Sequence, residues 1–311
     1  MTPIALALSL ALHTSPSPKA APPAKPATAA KPMSTTAPPD DLSTTTRAWH
    51  DQRIQRLQSE DGWLTLVGLF WLDEGEQTAG SAPDSKLDFP ANTPAKLGVF
   101  TRTGKAVSFQ PAPGVAITRD GKPFTGGPLK TDEQGSPDVL KLGSLNFHVI
   151  QRGEKLGVRV KDSQAPARQQ FHGIDTYPAS ATWRVSARFE PATTPRTLQV
   201  PNVLGTTEEM KAPGTLVFTV DGKEHRLTPV VEEGSQQLFI IFADETNRDA
   251  TYGAGRFLYA DMPKDGQVVL DFNRAYNPPC AFTRFATCPL PPRGNRLALR
   301  VEAGEKRYGD H

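Results

Sequence analysis

After residue 72 the chain contains no stretch in which apolar residues recur with helical spacing over the length of a helix. Parallel strands need crossover helices between them, so the rest of the chain is restricted to antiparallel β-structure. From Lys86 onward, short β-branched and aromatic runs alternate with Gly-, Asp- and Asn-containing turns every 8–12 residues. Arg102-Thr103-Gly104-Lys105 separates Leu97–Thr101 from Ala106–Gln110, and Asp120-Gly121 follows Val115–Thr118. Arg152-Gly153-Glu154-Lys155 separates Asn146–Gln151 from Leu156–Val160. The clearest hairpin runs from Thr215–Val220 through Asp221-Gly222 to Lys223–Val230, because Asp-Gly supplies the positive φ angles of a tight I′ turn. Gln237–Phe242, Arg256–Ala260, Gln267–Phe272 and Arg296–Val301 read as further strands. No repeat of fixed period is present. The expected fold is all-β, mainly an antiparallel sandwich or partly open barrel, with one N-terminal amphipathic helix.

That helix is expected over about 43–60. Asp40, Asp41 and Ser43 are good helix starters with charge where the helix dipole favours it. Trp49, Ile54 and Leu57 share one broad face, Arg47, Asp51, Arg53 and Gln58 look elsewhere, and Gly62 is the expected stop. The next run, Trp63 to Leu72, is far too short to span a bilayer and reads as a buried strand or turn rather than a sugar-stacking platform. Ahead of the helix, the apolar stretch 4–12 within residues 1–13 has the length of a signal-peptide h-region, although no Lys or Arg precedes it. Residues 14–40 are Pro/Ala-rich and read as a disordered linker. Residues 41–311 are expected to form a single β-rich domain, exported to the periplasm or beyond.

A formal net charge of +2 carries no electrostatic footprint for nucleic acid. There is no Gly-x-Ser-x-Gly elbow, phosphate loop or His-Glu-x-x-His, and Gly253-Ala254-Gly255 lies between apparent strands rather than opening a helix. His50, His148, His172 and His225 are far apart in the chain. No metal or cofactor is expected on these grounds.

One segment is unusual: the run from Asp271 to Pro292, a proline-rigidified loop of high polar density. It holds both cysteines, Cys280 and Cys288, with seven residues between them. That spacing is wrong for a metal knuckle, and in an exported chain it reads as a disulfide, with a reactive thiol as the alternative. Asp271, Asn273, Arg274, Tyr276 and Asn277 crowd beside it, and Arg256 from the neighbouring strand can join them. Arg offers a forked donor, Asn paired donors and acceptors, and Tyr a stacking face with a hydroxyl, which together suit a small polar ligand. The same residues can equally tie down a turn through Asx bonds and internal ion pairs. His172, Asp175 and Arg184 form a second, weaker cluster with the same two readings.

At Asp271–Pro292 the chain resembles the domain of unknown function 1684 family. The resemblance extends through Tyr252–Leu258, Gly205-Thr206-Thr207, Phe171–Asp175, Trp183-Arg184-Val185 and Gly62–Leu69, and so over about residues 45–306. Arg284 stands where this pattern has a proline, which alters a turn and leaves the cysteine spacing intact. The family's name records no function, so the resemblance implies no catalytic roles. Two classes of function stay open. One is an envelope module binding a small polar ligand, a glycan or a partner protein, and a structural role is not separable from it. The other is a hydrolase using Asp271 with Arg256 or Tyr276 as electrostatic helper.

Overall fold

The computed structural model describes residues 41–309, and the expectations for residues 1–13 and 14–40 lie outside it. The hairpin punctuation of the sequence becomes strand pairing almost one for one. At Asp221-Gly222, φ angles of 50° and 73° turn strand Gly214–Val220 into strand Lys223–Leu227. Asp120-Gly121 and Asp265-Gly266 make the same left-handed pair.

Two β regions result. In the N-terminal region a six-stranded sheet runs, edge to edge, through Leu66–Trp71, Lys155–Asp162, Leu145–Arg152, Leu140–Leu142, Ile117–Arg119 and Lys122–Phe124, all antiparallel. Against it lies a five-stranded sheet of Leu87–Asp88, Gly75–Gly80, Gly98–Thr103, Ala106–Pro111 and Gly127–Leu129, whose first pair is parallel. Between them Phe89, Phe100, Phe109 and Phe147 are fully buried, and Phe147 meets the edges of the other three at 5.6–6.2 Å. Such edge-to-face contacts add to the burial of the rings themselves.

The C-terminal region has a four-stranded sheet ordered Lys223–Leu227, Gly214–Val220, Arg184–Pro191, Gln267–Asp271. The pairs Gln237–Phe242/Arg256–Asp261 and Thr197–Pro201/Thr207–Lys211 accompany it. The run Leu238-Phe239-Ile240-Ile241-Phe242 is apolar throughout because both its faces are covered. Leu238, Ile240 and Phe242 join Leu216, Phe218 and Leu270 on one side, and Phe239 and Ile241 join Val200 and Phe257 on the other. Neither region closes into a barrel. Among the described residues no helix is long and apolar enough to cross a membrane.

The N-terminal helix is Leu42–Leu57, started by Asp41, whose carboxylate accepts from the Ser43 amide (3.1 Å) and the Thr44 hydroxyl (2.8 Å). It ends one turn earlier than expected, at the point where a Cβ on Gly62 would lie 2.3 Å from the Leu57 carbonyl. Arg53, expected to face away, instead lies one turn along from Trp49 on the docked face and reaches Glu305 at 2.6 Å. Arg296–Val301, expected as a strand, makes only an isolated bridge from Arg296 to Ala243. The reason is local. Val301 and Ala303 turn their carbonyls to the Arg256 guanidinium instead of to a neighbouring strand.

Candidate functional site

From Asp271 the chain leaves the sheet and wraps back over it. The Asp271 carboxylate accepts from the Asn273 amide (3.2 Å) and side chain (2.8 Å), which starts a 3₁₀ turn over Phe272–Arg274. Tyr276 then forms a reciprocal backbone pair with Phe257, 2.9 Å each way, and the two prolines Pro278 and Pro279 stiffen the path to Cys280. The effect is to hold Tyr276 against a cleft of about 1520 Å³. The helix, the Leu145–Asp162 hairpin, the Glu208–Lys211 strand end, the Val231–Gln237 turn and the Thr287–Pro289 segment complete its walls.

One wall is aromatic. The Tyr276 ring stacks on Tyr259 (6.2 Å, 14°), Trp49 leans on it at 6.1 Å, and the Arg53 guanidinium lies 4.4 Å from its centroid. Arg53 is fixed there by Glu305 and by the Asn277 carbonyl at 2.8 Å. Burial first of all raises the phenol pKa of both Tyr276 and Tyr259, so each remains a protonated donor. The Tyr259 hydroxyl gives its proton to Glu232 at 2.7 Å.

A second part of the lining is cationic. Arg159 is 7% exposed and lies 5.2 Å over the Trp63 ring. Its Nη2 reaches the Thr287 hydroxyl only at 3.5 Å, and its buried Nε has no hydrogen-bond partner. Arg152 alongside is paired to Asp132 at 2.8 Å and donates to the same hydroxyl at 3.2 Å. Burial, and then the Arg152 charge, pull the Arg159 pKa down to about 10. Across the strand pair, His148 faces Arg159 in register, and burial followed by the Arg159 charge lowers its pKa to about 4. Trp63, expected inside the core, is therefore half-exposed on the cleft while Leu64 and Leu66 take the buried positions.

The candidates read from sequence divide sharply. Tyr276 and Arg274 line the cleft, and Arg274 is held at 3.5 Å by Asp271. Arg256 does not. It is 0% exposed and enclosed by Asp244 (2.7 Å) and the Val301 carbonyl (2.9 Å). Asn273 ties down Ser180 through both its amide (2.9 Å) and carbonyl (3.0 Å), and Asn277 donates to the Lys306 carbonyl at 2.8 Å. For these three the turn-tying reading fits the geometry. In the second cluster His172 and Asp175 are exposed in one loop, while Arg184 is exposed opposite Asp271 on the adjacent strand. Cys280 and Cys288 are unbonded thiols, with Cys288 Sγ accepting from the Cys280 amide at 3.1 Å. A side-chain hydrogen bond between the two thiols lowers the Cys280 pKa, and that thiol–thiol bond together with burial raises that of Cys288.

Arg53, Trp63, Arg152, Arg159 and Thr287 were not among the sequence candidates. Arg159 did leave a signal: it is a lone charge inside Leu156-Gly157-Val158-Arg159-Val160, where strand residues on both faces are buried.

Residues 169–306 match the family described as protein of unknown function (DUF1684), a shorter span than the motifs in the sequence cover. The match takes in Tyr276 and Thr287 and leaves Arg53 and Arg159 outside. The uncharacterised protein from gene locus rrnAC0354 of Haloarcula marismortui, solved by NMR in solution, is 31% identical. That comparison covers 46% of this chain and 81% of the other at a TM-score of 0.39. A chain from the crystal structure of the FhaA FHA domain complexed with the intracellular domain of Rv3910 is 15% identical. It covers 30% of this chain and 97% of the other at a TM-score of 0.22. No curated protein matches.

Proposed function

The chain belongs to the DUF1684 family of unknown function, and from that premise we propose that it is a binding module for a small organic ligand held in the Tyr276 cleft. One observation carries this reading: the rings of Trp49, Tyr276 and Tyr259 pack together along one wall of an open cleft, with the Tyr259 hydroxyl bonded to Glu232. Arg53 holds its position through Glu305 and the Asn277 carbonyl, so the aromatic wall is set before any ligand arrives. Preorganised walls of this kind suit a planar ring or the apolar face of a sugar. The envelope location belongs to the same proposal, supported by the apolar stretch 4–12 and the proline-rich run behind it.

A hydrolase built on Asp271 with Arg256 draws no support from this geometry. The arginine is enclosed, and the aspartate is engaged with Asn273 and Arg274.

The test is a thermal-shift screen of nucleosides, aromatic acids, aromatic amides and monosaccharides, repeated on Tyr259→Ala. Tyr259 is 37% exposed, so the variant keeps the fold. A ligand at 100 times its Kd stabilises by about 2.7 kcal/mol, a shift of several degrees. The expected result is a hit in one of these classes whose shift shrinks in Tyr259→Ala. Hits whose shift is the same in both proteins, or no hit at all, would refute the proposal.

A further inference from the structure

We infer that the part of the cleft lined by Arg159 and Thr287 is a carboxylate subsite, in which the guanidinium of Arg159 and the hydroxyl of Thr287 receive an anionic group of the ligand. This subsite rests on the cleft being a ligand site and adds the charge of what enters it. The starting point is an imbalance of charge. Among the described residues Arg159 forms no ion pair, although it is 7% exposed and one of its N–H groups has no acceptor. A buried guanidinium ordinarily meets a carboxylate, as Arg256 meets Asp244 and Arg53 meets Glu305 in this same chain. Arg159 lines the cleft, so the missing acceptor can enter from solvent.

The neighbours sharpen the chemistry. Thr287 Oγ1 receives N–H groups from Arg152 (3.2 Å) and Arg159 (3.5 Å), which fills its acceptor side. Its own proton has no acceptor among the described residues and is free to be donated. An incoming oxyanion would thus meet the Arg159 guanidinium and the Thr287 O–H together. Charge selects the oxyanion. Arg152 is already neutralised by Asp132 at 2.8 Å, leaving Arg159 as one uncompensated positive charge. A single-charged, planar carboxylate matches both that charge and the forked donor, whereas a phosphate dianion would exceed it. Glu133, Glu208, Glu209 and Glu233 also line the cleft, but they are exposed, so solvent and salt screen them, and the half-buried Glu232 is engaged by the Tyr259 hydroxyl. The charge preference is therefore set at the buried Arg159, with the aromatic wall left for the body of the ligand.

The test compares benzoate with benzamide, its neutral isostere, by calorimetric titration of the full chain, with inorganic phosphate as a third probe. Benzoate is expected to bind roughly tenfold or more tighter than benzamide, since a charge-assisted hydrogen bond is at stake. The ratio of benzoate to benzamide affinity falls to about one in Arg159→Gln and is reduced in Thr287→Val. Thr287 is half-buried and valine keeps its shape, losing only the hydroxyl that accepts from Arg152 and Arg159, so the second variant reports even if the first folds poorly. Equal affinities for benzoate and benzamide would overturn the subsite and leave the cleft reading standing. Binding of phosphate in preference to benzoate would overturn the carboxylate assignment. Failure of both aromatic probes would overturn the subsite, and the cleft reading falls with it only if the thermal-shift screen is blank as well.

Discussion

The two β regions are held together differently. The N-terminal region, residues 66–162, encloses a core of five phenylalanines with Leu97, Leu140, Val149 and Val158, and its strands are joined mostly by short hairpins. The C-terminal region also has an apolar core, but much of its chain after Asp271 is not in strands at all. That wrapping segment is fastened by buried polar groups: Arg256 with Asp244, Asn295 with Thr228 and the Ile241 carbonyl, Asn273 with Ser180, and Asn277 with Lys306. The first region rests on non-directional burial, and its strand pairs are nearly interchangeable in kind. The second uses directed bonds, and it can therefore fix a segment without regular secondary structure closely enough to present Tyr276. The cleft lies where the two meet, taking Arg159 from one and Tyr276 from the other.

The sharpest way to break this contrast is Asp244→Ala. It leaves the Arg256 charge buried without its counter-ion and is expected to cost about 3–5 kcal/mol, read from urea unfolding. Adding Arg256→Met to it should recover a large part of that loss. A double variant no better than the single would mean that the pair is not the fastening described. In the N-terminal core, Leu140→Ala should cost about 3 kcal/mol from lost burial and the cavity left behind. Combined with Asp244→Ala it should be additive, because the two sites share no partner.

A smaller effect belongs to pH. The folded pKa of His148, about 4, lies below its unfolded value near 6.5, so between those two values the unfolded chain binds more protons. Its contribution to stability is complete above pH 6.5 and is lost as pH falls through 4. The loss is at most about 3 kcal/mol, reduced by partial exposure. His148→Gln should flatten the dependence of unfolding free energy on pH across that window. An unchanged slope would assign the dependence to other groups, such as His50, whose pKa burial also lowers.

Much of the fold was legible because its determinants are local. Asp-Gly turns and alternating runs located most of the hairpin strands closely, and Asp41 marked the helix start. What escaped depended on long-range partners. The facing of Arg53 is set by Glu305, 252 residues away, and the irregular path of 296–301 is set by where Arg256 points. The polar richness of 271–277 was visible, but not its division of labour: Tyr276 faces the cleft while Asn273 and Asn277 turn inward. Composition cannot separate these, since the same Asn that grips a ligand also grips a backbone.

Two buried arginines thus serve opposite purposes: Arg256 is paired with the Asp244 carboxylate for the fold, and Arg159, with no carboxylate partner among the described residues, is left for a ligand. The most direct test is the unfolding free energy of Arg256→Met and Arg159→Met, measured in one denaturant series without ligand. Arg256→Met strands the Asp244 carboxylate and should destabilise by about 3–5 kcal/mol. Arg159→Met removes a desolvated charge that has no counter-ion and should stabilise by about 1–2 kcal/mol. Losses of similar size in both variants would contradict this division, because Arg159 would then be a second fastening of the fold.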